Sequence, residues 1–405
     1  MKSKITLILF SISFFILSGT CRAQTPPDNS CVQCHSDYFD DMKGSIHSKE
    51  GIYCNSCHGG DPVQATQESA HNVEKGYLAV PDKQQIANMC GTCHADVERM
   101  NFYGIPTDQL AQYKTSKHGK ALFGENDTHV AVCTDCHSYH DIVPVKDSRS
   151  PVYPSNIVKT CGHCHSNEKL MHPYNIPSDI PDKYTNSVHG KALFEKQDIS
   201  VATCVSCHGS HGAVPPQVKN IVATCGQCHI NERKYFLESV HAKLAESGQF
   251  PECIACHSNH DVAPASLASY ETMCSQCHQQ GDAGMRQGEK MLSMLSQSEK
   301  SVEEAAILVK QAEIEGLFVE EETAGLEEAK TKAISMKPLQ HTLSVEKISE
   351  LNEDVNSGIG RIKNNIQDKR EDLARRKIAL VFVWIFIFLM VAALWKRYQQ
   401  YTHHK

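Results

Sequence analysis

Two stretches of the chain run without a charge. Ile5–Leu17 is largely apolar and follows Lys2 and Lys4. Ile378–Trp395, "IALVFVWIFIFLMVAALW", is eighteen residues long. At 1.5 Å per residue it extends about 27 Å, close to the hydrocarbon thickness of a bilayer, which predicts a transmembrane helix. Trp395 lies at its end, where an interfacial aromatic is expected. Upstream, Ile348, Leu351, Val355, Ile359, Ile362, Ile366 and Leu373 step by 3, 4, 4, 3, 4 and 7, one apolar stripe on a helix spanning Leu343–Lys377. Met291–Met336 carries the same period. Pro338, in "MKPLQH", separates the two segments, and the pattern predicts an antiparallel helical hairpin. From Cys31 to Gly281 neither the strand nor the helix period is sustained. Gly, Pro, Asn and Ser are scattered through it, which predicts short helices joined by loops.

Cysteine changes this picture. The central region holds nine C-x-x-C pairs: Cys31/Cys34, Cys54/Cys57, Cys90/Cys93, Cys133/Cys136, Cys161/Cys164, Cys204/Cys207, Cys225/Cys228, Cys253/Cys256 and Cys274/Cys277. Each is followed at once by a histidine: His35, His58, His94, His137, His165, His208, His229, His257 and His278. This is the signature of covalent c-type haem attachment, with thioethers from the cysteines and an axial iron ligand from the histidine. Zinc knuckles share the cysteine spacing, and exported disulfide proteins share the cysteine abundance. Neither requires the trailing histidine. With 23 histidines in 405 residues, nine such coincidences have odds on the order of 10⁻¹¹. Nine covalently attached haem c groups are therefore expected. With so many porphyrins in so short a stretch, they must themselves form its core.

The nineteenth cysteine, Cys21, lies in the N-terminal segment. That segment reads as a signal peptide over residues 1–23, cleaved after Ala23. Acylation of Cys21 as a lipoprotein is the competing reading. Export agrees with haem attachment outside the cytoplasmic membrane. The expected organisation is a nonahaem cytochrome c domain over residues 24–281, a helical hairpin or stalk over 282–377, a transmembrane helix over 378–395 and a cytoplasmic tail over 396–405. The fold class is mainly α and loop-rich, with the haem domain in the periplasm of a bacterial cell. Formal net charge is −7, and −10 once Lys2, Lys4 and Arg22 are removed, which argues against a nucleic-acid partner.

Internal repeats supply candidates for the second axial ligand. "SKHGKALF" at Ser116 returns as "SVHGKALF" at Ser187 and, more loosely, as "SVHAKLAE" at Ser239. Each is followed by C-x-x-C-H-x-x-H and then by another C-x-x-C-H. A degenerate copy begins at Ser45, so the region reads as one leading motif plus four two-motif modules. His47, His118, His189 and His241 form an S-x-H class, and His140, His211 and His260 an H-x-x-H class. Asp61 occupies the H-x-x-H position of the first module, where His71 is expected to substitute. These eight would serve the eight module haems. The ninth falls to His172, with His129 as the alternative. His163 is assigned no iron, and His341, His403 and His404 are expected to lie far from the haems. Met171 and Met273 are rival ligands that would raise potentials.

These motifs and the "S-x-H-G-K-A-L" repeats, over Cys31–His278, make the chain similar to the multihaem c-type cytochromes with bis-histidine ligation. The resemblance implies low-spin, low-potential haems packed in parallel and perpendicular pairs, working with quinol oxidation or downstream reductases. The chain differs from the quinol dehydrogenase cytochromes, whose anchor is N-terminal. It also lacks the C-x-x-C-K motif of the pentahaem nitrite reductases. With enough histidines to close every iron on both faces, electron transfer is expected. The chain would be a membrane-anchored subunit linking a quinone-reactive membrane partner to periplasmic or extracellular acceptors, with self-association possible through the hairpin. An oxidoreductase of nitrogen or sulfur oxyanions with one open haem is the alternative.

Overall fold

The computed structural model describes residues 29–215 and 221–403. The expected leader, Cys21 and His404 lie outside the described residues. Among the described residues the fold is all helix, turn and loop, with no strand. The chain divides into two compact units, Met1–Thr160 and Cys161–Lys405.

The first unit is a succession of short helices, and most of its motifs sit on helices of a few turns at most, such as Cys54–His58, Lys83–His94 and Cys133–His137. Its small apolar core is Ala87, Tyr113, Leu122 and Val132. In the second unit the same kind of wrapping continues through Cys204–His208 and Ile254–His257. The modules also repeat their backbone hydrogen bonds. Ile46 N–H donates to Ile142 O in the first unit, and Val188 N–H to Val262 O in the second, both at 2.8 Å. Each bond ties the start of an S-x-H helix to the stretch of chain just past the H-x-x-H of the next module.

Three long helices end the second unit: α1 (Ala283–Ile314), α2 (Glu320–Leu339) and α3 (Val345–His403). The hairpin expected from periodicity is thus a three-helix bundle. Periodicity runs unbroken from Met291 to Met336, but the chain reverses at Gly316, whose φ of +84° suits glycine. Glu320, Glu321 and Glu322 then open α2, where acidic side chains complement the exposed N–H groups. Pro338 is accommodated in the last turn of α2. The break falls instead at a 3₁₀ turn, Gln340–Thr342, followed by Leu343 in the left-handed region. The apolar stripe of α3 is buried as predicted: Ile348, Val355, Ile359, Ile362 and Ile366 pack with Met291, Leu295, Val309, Leu326 and Met336. Beyond the bundle α3 continues without interruption. Every side chain from Ile378 to Trp395 is exposed, on a helix long and apolar enough to cross a membrane.

Candidate haem-binding site

The S-x-H motif is a helix N-terminus. Ser116 caps Lys117–Gly124, its Oγ accepting from Gly119 N–H at 2.9 Å and donating to Tyr113 O at 2.6 Å. Ser187 repeats this with Gly190 N–H at 3.0 Å and Tyr184 O at 2.6 Å. Tyr113 and Tyr184 in turn donate from their hydroxyls to Ala131 O and Ala202 O, at 2.7 and 2.8 Å. The histidine therefore projects from the first turn of a capped helix. The glycine after it is dictated by packing, since a Cβ at Gly119 or Gly190 would lie 1.9 or 2.1 Å from the carbonyl oxygen of Tyr113 or Tyr184. Ser45 and Ser239 cap the equivalent helices around His47 and His241.

The first motif of each module ends in a sharp reversal. The residue after its histidine has positive φ: Gly59, Ser138, Gly209 and Ser258. The two serines hydrogen-bond Asp141 and Asp261, which helps hold a conformation costly for a side-chain residue. This reversal carries the H-x-x-H histidine away from its own motif.

Trailing histidines in both units face a second imidazole. The pairs and ring-centroid separations are His35–His71 at 6.2 Å, His94–His47 at 6.1 Å, His58–His140 at 6.4 Å, His229–His189 at 6.3 Å, His208–His260 at 5.9 Å, His278–His241 at 6.2 Å and His257–His341 at 6.1 Å. A metal–imidazole bond is about 2 Å and the ring centre lies roughly 1 Å beyond the nitrogen, so two imidazoles on one ion have centroids about 6 Å apart. The pairs have the spacing of an axially ligated iron, and the residues present fit haem. None of His118, His137, His165 and His211 is without an interaction partner.

The pairing follows a rule. His47, His189 and His241, of the S-x-H class, face the second motif of their own modules. His140 and His260, of the H-x-x-H class, face the first motif of the module before, at His58 and His208. His71 obeys the same rule, facing the leading motif's His35 rather than a haem of its own module. Asp61, in the position where histidine is missing, is buried and salt-bridged to Lys75 at 2.5 Å.

The rings are held from behind. Nδ1–H of His58 and His208 donates to Leu78 O and Val214 O, and that of His278 to Asp282 Oδ2, each at 3.2 Å. Such bonds fix the tautomer and leave Nε2 for a metal. Tyr77 stacks on His71 at 4.3 Å and Phe250 on His241 at 4.7 Å. Nδ1 of His140 is buried with no hydrogen-bond partner. Burial, reinforced by the facing imidazole, lowers the pKa of His47, His140, His189, His241, His257 and His260 below the ordinary value. The neutral ring so favoured is the ligating form.

The cysteines of successive motifs stand together within each unit. Cys90 lies beside Cys133, Cys161 beside Cys204, and Cys225 beside Cys253. Cys31 lies near Cys54, Cys57 near Cys93, Cys207 near Cys225 and Cys256 near Cys274. None of the described cysteines forms a disulfide.

Cys34, Cys207, Cys228, Cys256 and Cys277 are exposed, and Cys136 and Cys164 are half-buried. Cys34 has its own motif's Cys31 beside it, Cys228 stands near Cys207, and Cys136 lies near the Tyr113 hydroxyl. Cys136 and Cys164 each have an interaction partner.

Two further expectations are displaced. His172 is exposed in the 3₁₀ turn His172–Tyr174, and His129 is exposed with its ring against Asp127. Neither stands opposite a trailing histidine; His341, expected to lie far from the haem region, faces His257 instead. Sequence reasoning also missed Tyr77, Phe250 and Asp282, which have no repeat counterpart to flag them.

Paired imidazoles over C-x-x-C-H turns, wrapped in short helices, present the ligand set that haem c takes. Residues 173–278 match the class III cytochrome C family. The chain is 26% identical over 221 residues to the multiheme cytochrome MtrA of Shewanella baltica, covering 51% of this chain and 53% of that protein. It is 27% identical over 174 residues to the polyheme cytochrome OmcC of Geobacter sulfurreducens, covering 36% and 21%. It is 25% identical over 166 residues to the cytochrome c-type protein NrfB of Escherichia coli, covering 39% and 75%. The chain thus spans about half the length of MtrA and less of OmcC. No solved structure matches it.

Proposed function

We propose that the chain is a membrane-anchored nonahaem electron carrier, with every iron closed by two histidines. The observation that carries this is the repeated 5.9–6.4 Å separation of facing imidazoles. An iron ligated on both faces has no position for a small substrate, so its chemistry is outer-sphere electron exchange. The eighteen paired cysteines, Cys31 through Cys277, form the thioethers, and the nine trailing histidines are proximal ligands. His47, His71, His140, His189, His241 and His260 are distal ligands by their placement, and His118 and His211 by their repeat positions.

The nearness of cysteines from consecutive motifs supports haems following one another in chain order within each unit. The protein's part is to fix those positions and orientations, exclude water from the irons and hold the imidazoles neutral. Ile378–Trp395 serves as the membrane anchor, with the haem region on the periplasmic side. It contains no histidine, so electrons from the membrane must arrive through a separate quinone-linked partner and leave to periplasmic or extracellular acceptors.

Spectroscopy of the purified full-length protein tests this reading. Nine haem additions by mass, wholly low-spin ferric spectra and no change on adding CO to the reduced protein are expected. A high-spin iron that binds CO, nitrite or hydroxylamine in the unmodified protein would overturn it in favour of a catalytic haem.

A further inference from the structure

The pairing rule leaves one site without a donor. The first-motif histidines His58 and His208 face the H-x-x-H histidine of the following module. The fourth module, with His257, has none following it, because the motifs end at His278 and the bundle begins at Ala283. A repeating array of this kind needs a different structure to close its last unit.

His341 stands at that position. It lies in the 3₁₀ turn between α2 and α3, its ring centroid 6.1 Å from that of His257 with the planes inclined at 30°. The separation is that of the other pairs. Its Nδ1 is 2.9 Å from Pro338 O. The carbonyl can only accept, so Nδ1 carries the proton and Nε2 keeps its lone pair. Pro338, tolerated in the last turn of α2, thereby sets the tautomer of the ring.

The turn is anchored from several sides. Tyr270 Oη, just ahead of the last motif, donates to Gln340 Oε1 at 2.7 Å. Thr342 is buried and donates to Leu339 O at 2.9 Å. Leu343 takes a left-handed φ of 53° to reverse the chain. Lys347 in the first turn of α3 pairs with Glu238 at 2.6 Å, and the helix Ile230–Leu237 packs on the turn. A surface histidine needs no such scaffold, whereas a ligand held at fixed distance from a metal does.

We propose that His341 is the distal iron ligand of the haem attached at Cys253 and Cys256. The proposal rests on the bis-histidine reading above and adds a role for the bundle. The bundle ceases to be a stalk and becomes the terminal module of the haem array, supplying one axial ligand through His341. At the same end of the bundle, Asp282 caps α1 by accepting from Met285 N–H at 2.7 Å while orienting His278.

The test uses the full-length, haem-loaded protein in detergent. His341→Ala should keep its full haem complement by mass, because Cys253 and Cys256 are untouched. One high-spin iron per chain should appear by electron paramagnetic resonance, and one CO should bind on reduction. Added imidazole should restore the low-spin spectrum, a rescue that repair of a purely structural defect would not give. His341→Gln, which can retain the bond to Pro338 O, should behave alike and guards against collapse of the turn. His260→Ala is the comparator. If both His260→Ala and the His341 variants stay wholly low-spin, the bis-histidine reading itself fails. If His260→Ala opens an iron and the His341 variants do not, that reading stands and the assignment of His341 is overturned.

Discussion

Lys369→Met gives a sharp test of how the bundle is held. Glu322, in the first turn of α2, has a fully buried side chain. Both its oxygens accept from Lys369 Nζ, at 2.7 and 2.6 Å, and the same ammonium donates to Phe318 O at 2.8 Å. Lys369 therefore clamps the α1–α2 turn and the start of α2 onto α3. Methionine keeps most of the aliphatic stem but leaves a buried carboxylate without its cation. Breaking a buried pair this way costs about 3–5 kcal/mol. The lysine side chain is 32% exposed, so water can reach the carboxylate's surroundings, and we expect the lower end, about 3 kcal/mol. At about 1.4 kcal/mol per decade, amides of α2 should exchange with solvent about a hundredfold faster in the detergent-solubilised protein. The haem spectrum should be unchanged in amplitude. Glu322→Leu combined with Lys369→Met should recover most of the protection, because an apolar pair of similar volume carries no desolvation cost. If Lys369→Met leaves exchange in α2 within about threefold of the parent, the pair contributes little and the clamp is wrong.

Other consequences follow from local geometry. Gly190→Ala places a Cβ 2.1 Å from Tyr184 O, so the S-x-H helix must shift; a loss of about 1–3 kcal/mol in thermal stability and partial loss of low-spin signal are expected. Ile366→Ala, at a site with no exposure, should cost about 2–5 kcal/mol, read as faster exchange across α3 below the apolar segment. The Lys75 hydrogen bond holds Asp61 below its ordinary pKa. A carboxyl lowered by folding stabilises the protein above its unfolded pKa of about 3.9 and loses that contribution as pH falls through the lower folded value. An acid titration of Asp61→Asn should lack this component, and an unchanged acid profile would remove Asp61 from the account.

The attachment motifs were legible because they are local, three spacings and a residue type that coincidence does not supply. The S-x-H and H-x-x-H classes were legible because they recur. Their partners were not, because pairing is set by how one module lies on the next, and spacing along the chain does not encode that. His71 shows the difference: its repeat position was readable, but its service to the leading motif emerged only from the fold. His341 carried no repeat signature at all. The one available signal was arithmetic, a fourth module with no successor to donate to it. In the bundle, the buried face of α3 was readable from its stripe. The third helix was not, because apolar periodicity carries on through the turn and only Gly316 interrupts it.

The continuity of α3 fixes a stand-off height. From Val345 to the start of the apolar segment the helix is unbroken, and standing along the membrane normal it spans about 50 Å at 1.5 Å per residue. His341 and the site it faces would then be carried that far above the bilayer surface. A partner confined to the membrane cannot touch it from below. On the proposed function, a donor serving that site would have to rear a domain of its own to that height or meet the chain side-on.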